Sequence, residues 1–137
     1  MTRIFADSYF FFAIINPRDP AHAKAMDFSQ RNRAPLVTTA WVLTELADGL
    51  ASTPRRQAFR SVLDDIEANP ADLIVPANTE TFEKGVELYH ARPDKQWSLT
   101  DCISFVVMKE EGISEALTGD RHFEQAGFTA LLKRAQE

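Results

Sequence analysis

The chain has 137 residues, 45% of them apolar and 26% charged, with a formal net charge of −5. That length suits one domain, 1–137, around one hydrophobic core, and the composition is globular, neither disordered nor fibrous. No run of 18 uncharged apolar residues exists to span a membrane, and the lone Cys102 excludes an intramolecular disulfide framework or a cysteine-built zinc cluster. The short basic start at Arg3 meets Asp7 too early for a secretory signal, so a cytoplasmic protein without membrane attachment is expected. Acidity argues against a non-specific coat on nucleic acid, but not against a nuclease, whose catalytic groups are themselves acids.

In chain order, Arg3–Ala6 reads as a short buried strand ending at Asp7. Tyr9–Ile15 is a continuous apolar run that periodicity alone leaves open between strand and helix. Pro17 and Pro20 punctuate the chain, and Ala21–Arg33 predicts a helix closed by Pro35. Leu36–Thr39 is a β-prone run. A helix then follows over Ala40–Ala51, with Leu43, Leu46 and Leu50 on one face. Thr53-Pro54 resembles an N-cap and first helical residue, predicting a helix to Ala68 that carries Arg55, Arg56 and Arg60 toward solvent, a nucleic-acid backbone or a partner. Leu73–Val75 predicts a strand, Asn78 or Thr79 opens a helix to Ala91, and Arg92–Trp97 is a polar loop. Leu99–Glu111 predicts a helix with Leu99, Ile103, Val106 and Val107 on one face. Ala116–Thr118 predicts a strand, 121–125 a brief helix or turn, and Phe128–Leu132 a last edge element. Strands alternating with helices predict an α/β fold with a mainly parallel sheet, whose ligand crevice lies beyond the carboxyl ends of its strands.

Asp7 and Asp120 fall at such strand ends, and Glu45 and Asp101 lie on helices entered from the same end. Four converging carboxylates would repel one another unless protons or a hard divalent cation intervened. Other readings stay open for each acid. Asp101 can cap Ser98 in a capping box, Asp120 can be the N-cap of a short helix, and Glu45 can sit on a rim. Asp7, wedged between Ile4-Phe5-Ala6 and an aromatic run, is the hardest to place without a functional partner.

The four segments resemble the signatures of the PIN-domain nucleases. Ile4-Phe5-Ala6-Asp7-Ser8 resembles their first strand, and Val42-Leu43-Thr44-Glu45-Leu46 the helix with their Glu. Trp97-Ser98-Leu99-Thr100-Asp101-Cys102 resembles the third segment, and Ala116-Leu117-Thr118-Gly119-Asp120-Arg121-His122-Phe123 the fourth. The resemblance runs the length of the chain and is nearest to VapC-type toxins of toxin–antitoxin pairs. It implies a three-layer α/β/α sandwich and a metal-dependent endoribonuclease. It further implies a Mg²⁺ or Mn²⁺ site on Asp7, Glu45, Asp101 and Asp120, an RNA substrate, a homodimer and an antitoxin partner. Cys102 stands where alanine is commoner, and Phe10-Phe11-Phe12 is bulkier than the family pattern. Arg18–Arg33 reads as an arm or clamp.

Around the acids, Ser8, Thr100 and Thr118 are expected to orient carboxylates through their hydroxyls. Arg92, Lys95, Trp97 and Arg121 bracket two of the acids and are candidate RNA contacts, Trp97 either by stacking on a base or as a half-buried lid. His22, His90 and His122 show no metal spacing; His122 reads as a local structural residue that lies near enough to approach substrate. No acid–base partner marks Cys102 as a nucleophile, and the glycines form no phosphate loop. The competing functions are a non-catalytic RNA- or protein-binding domain, a housekeeping nuclease outside toxin systems, and a metal-dependent phosphatase.

Overall fold

The computed structural model describes residues 2–133; Met1 and 134–137, which the expected domain 1–137 includes, lie outside the described residues. The chain order is β1 (Ile4–Ala6), α1 (Ser8–Ile15), α2 (His22–Arg31), β2 (Leu36–Thr39), α3 (Ala40–Leu50) and α4 (Ala58–Ala68). It continues with β3 (Leu73–Val75), α5 (Thr79–Ala91), α6 (Leu99–Glu110), β4 (Glu115–Leu117), α7 (Arg121–Gln125) and β5 (Thr129–Ala130). The sheet is wholly parallel in the order β3-β2-β1-β4-β5. Connections from β1 to β3 step one way across the sheet, and those from β3 to β5 step the other. Right-handed crossovers therefore place α1–α4 and α5–α7 on opposite faces, the expected α/β/α sandwich. The order reverses between β1 and β4, and the carboxyl ends of those two strands frame the crevice.

The ambiguous run after Asp7 is helix. Phe10, Phe11 and Ala13 are buried, while Tyr9 and Phe12 are half-buried. The segment Arg18–Arg33 is no free arm, because α2 packs on α1 through buried Ala25 and an edge-on contact of Phe28 with Phe10. The helix expected to start at Thr53 starts instead at Ala58. Thr53 belongs to the end of α3: its hydroxyl donates to the Leu50 carbonyl at 2.8 Å and accepts from the Arg55 amide at 3.2 Å. Arg55 and Arg56 thus sit on a turn, not on a helix with Arg60. Helix α6 departs from the expected apolar stripe, in which Leu99 and Val106 are only half-buried. Cys102, Ile103, Ser104, Phe105, Val107 and Met108 are all buried, because α5 packs over the side that sequence periodicity leaves open.

The α5–α6 contact is close because residue 85 is glycine. A Cβ there would stand 2.4 Å from Ile103 Cγ1 and 3.3 Å from Ile103 Cα. Glycine within a helix costs roughly 1 kcal/mol relative to alanine. Overpacking against a β-branched side chain and its backbone costs typically 1–3 kcal/mol. Gly85→Ala is therefore expected to destabilise the protein, read as a lower midpoint in urea at unchanged slope. A raised midpoint would show that α5 is free to move off α6.

Candidate active site

Asp7 follows β1 and occupies the N-cap position of α1, yet its side chain makes no capping bond. Its carboxylate turns into the protein, 5% exposed, and Oδ2 accepts a hydrogen bond from the Thr118 hydroxyl at 2.9 Å. Thr118, fully buried just after β4, also accepts from the Asp120 amide at 3.1 Å. One hydroxyl thereby ties the end of β1 to the turn that carries Asp120. From α3, Glu45 receives a short hydrogen bond from the Ser8 hydroxyl.

Asp101 lies in the first turn of α6 and forms both halves of a capping box with Ser98. Its Oδ2 accepts the Ser98 amide at 3.1 Å and His122 Nδ1 at 3.0 Å. Asp120 is the N-cap of α7, accepting the His122 amide at 2.9 Å, and its Oδ1 lies 3.5 Å from His122 Nδ1. Each of these acids therefore caps a helix, and both approach the same imidazole. Donation from Nδ1 to an ionised Asp101 leaves Nε2 of the neutral ring as an acceptor. Asp101, Asp120 and His122 offer ligand atoms all within 4.8 Å of one another. His122 is the site residue that sequence reading undervalued. The signal was the spacing Asp120-Arg121-His122, which brings the ring back over the acid once Asp120 caps the helix.

Burial is the main reason the Asp7 carboxyl is pushed up to about 7. The Thr118 hydrogen bond opposes the rise, and the charges of Asp101 and Glu45 add to it. Burial also raises Asp101, opposed by the Ser98 amide and His122. Such a set needs protons or a cation near neutral pH. Its donors, carboxylate oxygens with one imidazole, suit a divalent cation. Cys102 adjoins the site, but burial pushes its thiol up to about 11, so it is no nucleophile.

The remaining candidates fall into separate places. Among the described residues, the Thr100 hydroxyl bonds none of the acids. Lys95 and Arg121 border a small polar cleft of about 280 Å³ with His122 and Gln125. Arg92 is engaged elsewhere, gripping Asp94 through Nε at 2.9 Å and Nη2 at 2.8 Å, with its guanidinium 5.3 Å from the Trp97 ring centre. Trp97 itself is 6% exposed, packs edge-on against Phe105, and donates Nε1–H to Gln125 at 3.0 Å. Of the two readings of Trp97, stacking on a base does not fit this placement, and the packed-lid reading does. The ring is a packing element under the loop, and its amphipathic edge is satisfied internally.

The PIN domain family model matches residues 4–129. The chain belongs to the PIN-domain family. It is 29% identical over 136 residues to the 23S rRNA-specific endonuclease VapC20 of Mycobacterium tuberculosis, covering 93% of this chain and 97% of that protein. The crystal structure of VapC20, described as a sarcin–ricin loop cleaving toxin, superposes with a TM-score of 0.82 at 25% identity, covering 91% and 95% of the two chains. VapBC2 from Rickettsia felis, solved on a DNA fragment of its promoter, shares the fold at a TM-score of 0.65 and 14% identity, over 94% and 96% of the chains.

Asp7 makes the PIN site a stability determinant. An acid whose folded value of about 7 exceeds its ordinary 3.8 holds its proton more tightly when folded. Its contribution is complete below about pH 4 and is lost as pH rises through about 7, a change worth roughly 4 kcal/mol. In chelator, the wild-type melting temperature should fall between pH 5 and pH 8, and Asp7→Asn should remove much of that fall. Added Mg²⁺ or Mn²⁺ at pH 8 should restore the wild type more than the variant. Parallel pH profiles for the two proteins would refute the assignment of Asp7 as the strained acid.

Proposed function

We propose that this PIN domain is a metal-dependent endoribonuclease that hydrolyses RNA phosphodiester bonds and serves as the toxin of a toxin–antitoxin pair. The observation that carries the reading is the buried Asp7 carboxylate, facing the charges of Glu45 and Asp101 where the strand order reverses. Likeness to VapC20 over nearly the whole of both chains supports RNA as the substrate. Asp7, Glu45, Asp101 and Asp120 would hold Mg²⁺ or Mn²⁺, with His122 beside them. Such a cation, when bound, acidifies water and offsets charge growing on a phosphoryl group.

The chain's own groups do the rest. Thr118 holds the Asp7 carboxylate and the Asp120 turn in register, and Ser8 does the same for Glu45. His122 Nδ1–H steadies Asp101, keeping its second oxygen available. Lys95 and Arg121, at the cleft beside His122, are placed to take RNA phosphates. Residues 1–137 form one domain in this reading, acting in the cytoplasm as a homodimer restrained by an antitoxin encoded beside it. No helix among the described residues is long and apolar enough to cross a membrane.

Purified protein with Mn²⁺ or Mg²⁺ should cut a defined RNA at discrete positions, mapped by end sequencing of total RNA. Asp7→Asn should abolish cutting while remaining folded by circular dichroism. Thr118→Val keeps the shape but removes both hydrogen bonds, and should lower turnover about 10- to 100-fold. RNA that is bound but never cut would favour the non-catalytic reading. Unchanged cutting by D7N would reject the site.

A further inference from the structure

A second cavity, of about 460 Å³, opens between α1 and the turn that ends α3. Tyr9, Phe12, Asn16, Asp19, Thr53 and Arg55 line it. Its size falls within the range of small-ligand pockets, roughly 300–1,000 Å³. None of the four acids lines it, but its lining continues the segments that carry Ser8 and Glu45. Tyr9 follows Ser8, the partner of Glu45, and Gly49 lies one helical turn beyond Glu45. Two glycines seat the aromatic rings of its wall. A Cβ on Gly119, next to Asp120, would stand 2.5 Å from the Tyr9 hydroxyl and Cζ, and a Cβ on Gly49 would stand 2.5 Å from Phe12 Cζ. A side chain at 49 or 119 would require the Phe12 or Tyr9 ring to shift.

The polar groups of the wall are arranged by the turn after α1. Asn16 Oδ1 accepts the Arg18 amide at 3.0 Å, so its Nδ2–H groups remain as donors. Asp19 Oδ1 accepts the Ala21 amide at 2.8 Å, so Oδ2 remains as an acceptor. These two residues are joined by a backbone bond from the Asp19 amide to the Asn16 carbonyl at 3.0 Å, and both line the cavity, one with a spare donor and one with a spare acceptor. On the opposite wall, the Arg55 guanidinium pairs with no acid among the described residues. Aromatic surface, an adjacent donor and acceptor, and a cation within one cavity match a base, its hydrogen-bonding edge and its phosphate. The lining carries one guanidinium and a single carboxylate already engaged at one oxygen, which suits an anionic strand leaving the acids.

We propose that this cavity is a nucleotide subsite that receives one unpaired base of the RNA flanking the cleaved phosphate. The base lies against Tyr9 and Phe12, its edge pairs with Asn16 and Asp19, and Arg55 holds its phosphate. The proposal rests on the endoribonuclease reading and adds a base-binding element on the side of the site away from Lys95 and Arg121.

The test uses the full chain carrying Asp7→Asn, which binds without cutting, and a fluorescein-labelled single-stranded RNA spanning the cleavage site mapped with the wild type. Arg55→Ala in that background should weaken binding about 3- to 10-fold and lower the salt slope by about one. Asn16→Ala should weaken it about tenfold. An abasic unit at one nucleotide beside the cleavage site should cost about tenfold or more, and at that position alone Asn16→Ala should add nothing further. Arg31→Ala, on the exposed face of α2, serves as the unaffected control, and melting temperatures confirm folding. Variants that bind like their parent, or abasic and Asn16 effects that multiply at every position, overturn the subsite. So does a change in molecular mass by light scattering with RNA affinity intact, which would make the cavity a contact between copies. A wild-type protein that cuts no RNA is a different failure, that of the nuclease reading, and it shows before any variant is made.

Discussion

Everything at the carboxyl end of the sheet depends on keeping the Asp7 carboxylate out of water. It sits beyond a strand whose three residues are all buried, under an aromatic helix, with two further acids near enough to raise its proton affinity. Two neutral donors, the Thr118 hydroxyl and the Ser8 backbone amide, hold it. A basic side chain in that place would quench the charge and leave an inert ion pair. A hydroxyl orients the acid without neutralising it, so the electrostatic strain is retained for whatever cation or proton occupies the crevice. The fold supports that strain with apolar packing: Phe5, Leu117 and Phe123 are fully buried around the two central strands.

The other acids carry structural work as well. Asp101 closes the capping box of α6, and Asp120 caps α7. Each is worth roughly 1 kcal/mol to its helix in that role. Their aim is consequently set by backbone geometry, which is more rigid than a rotamer held by packing alone. Asp7, by contrast, stands at an N-cap and does not cap. Among Asp7, Asp101 and Asp120 it is the one that caps no helix, so its replacement leaves both caps in place.

Much of this was legible in the residues. The strand–helix alternation and the strand-end acids sufficed to foresee the parallel sheet and its crevice, because buried parallel strands read as short apolar runs and because acids at their ends are costly without a function. Three things were not legible. The start of α4 was misplaced because Thr53-Pro54 carries a local helix-start signal, while its hydroxyl is taken by the end of α3. The choice between stacking and a lid at Trp97 stayed open because its neighbours are polar, while its environment is set by Phe105 and Gln125, eight and 28 positions away. The cavity beside Tyr9 has its rings against Gly49 and Gly119, which are far apart in sequence, and neither glycine signals a cavity there.

The bond between Asp7 and Thr118 spans 111 positions. Strand β1 leaves the ribosome first, and its neighbour β4 follows after three-quarters of the chain has been made. A growing chain can form the β1–β2 pair and contain Asp7 and Glu45, yet it lacks the hydroxyl that aims Asp7 and the turn that carries Asp120. Long-range parallel pairing is also slow to form. The crevice therefore cannot be complete until β4 and the turn after it have been made, and shorter chains carry Asp7 and Glu45 without the geometry that aims Asp7.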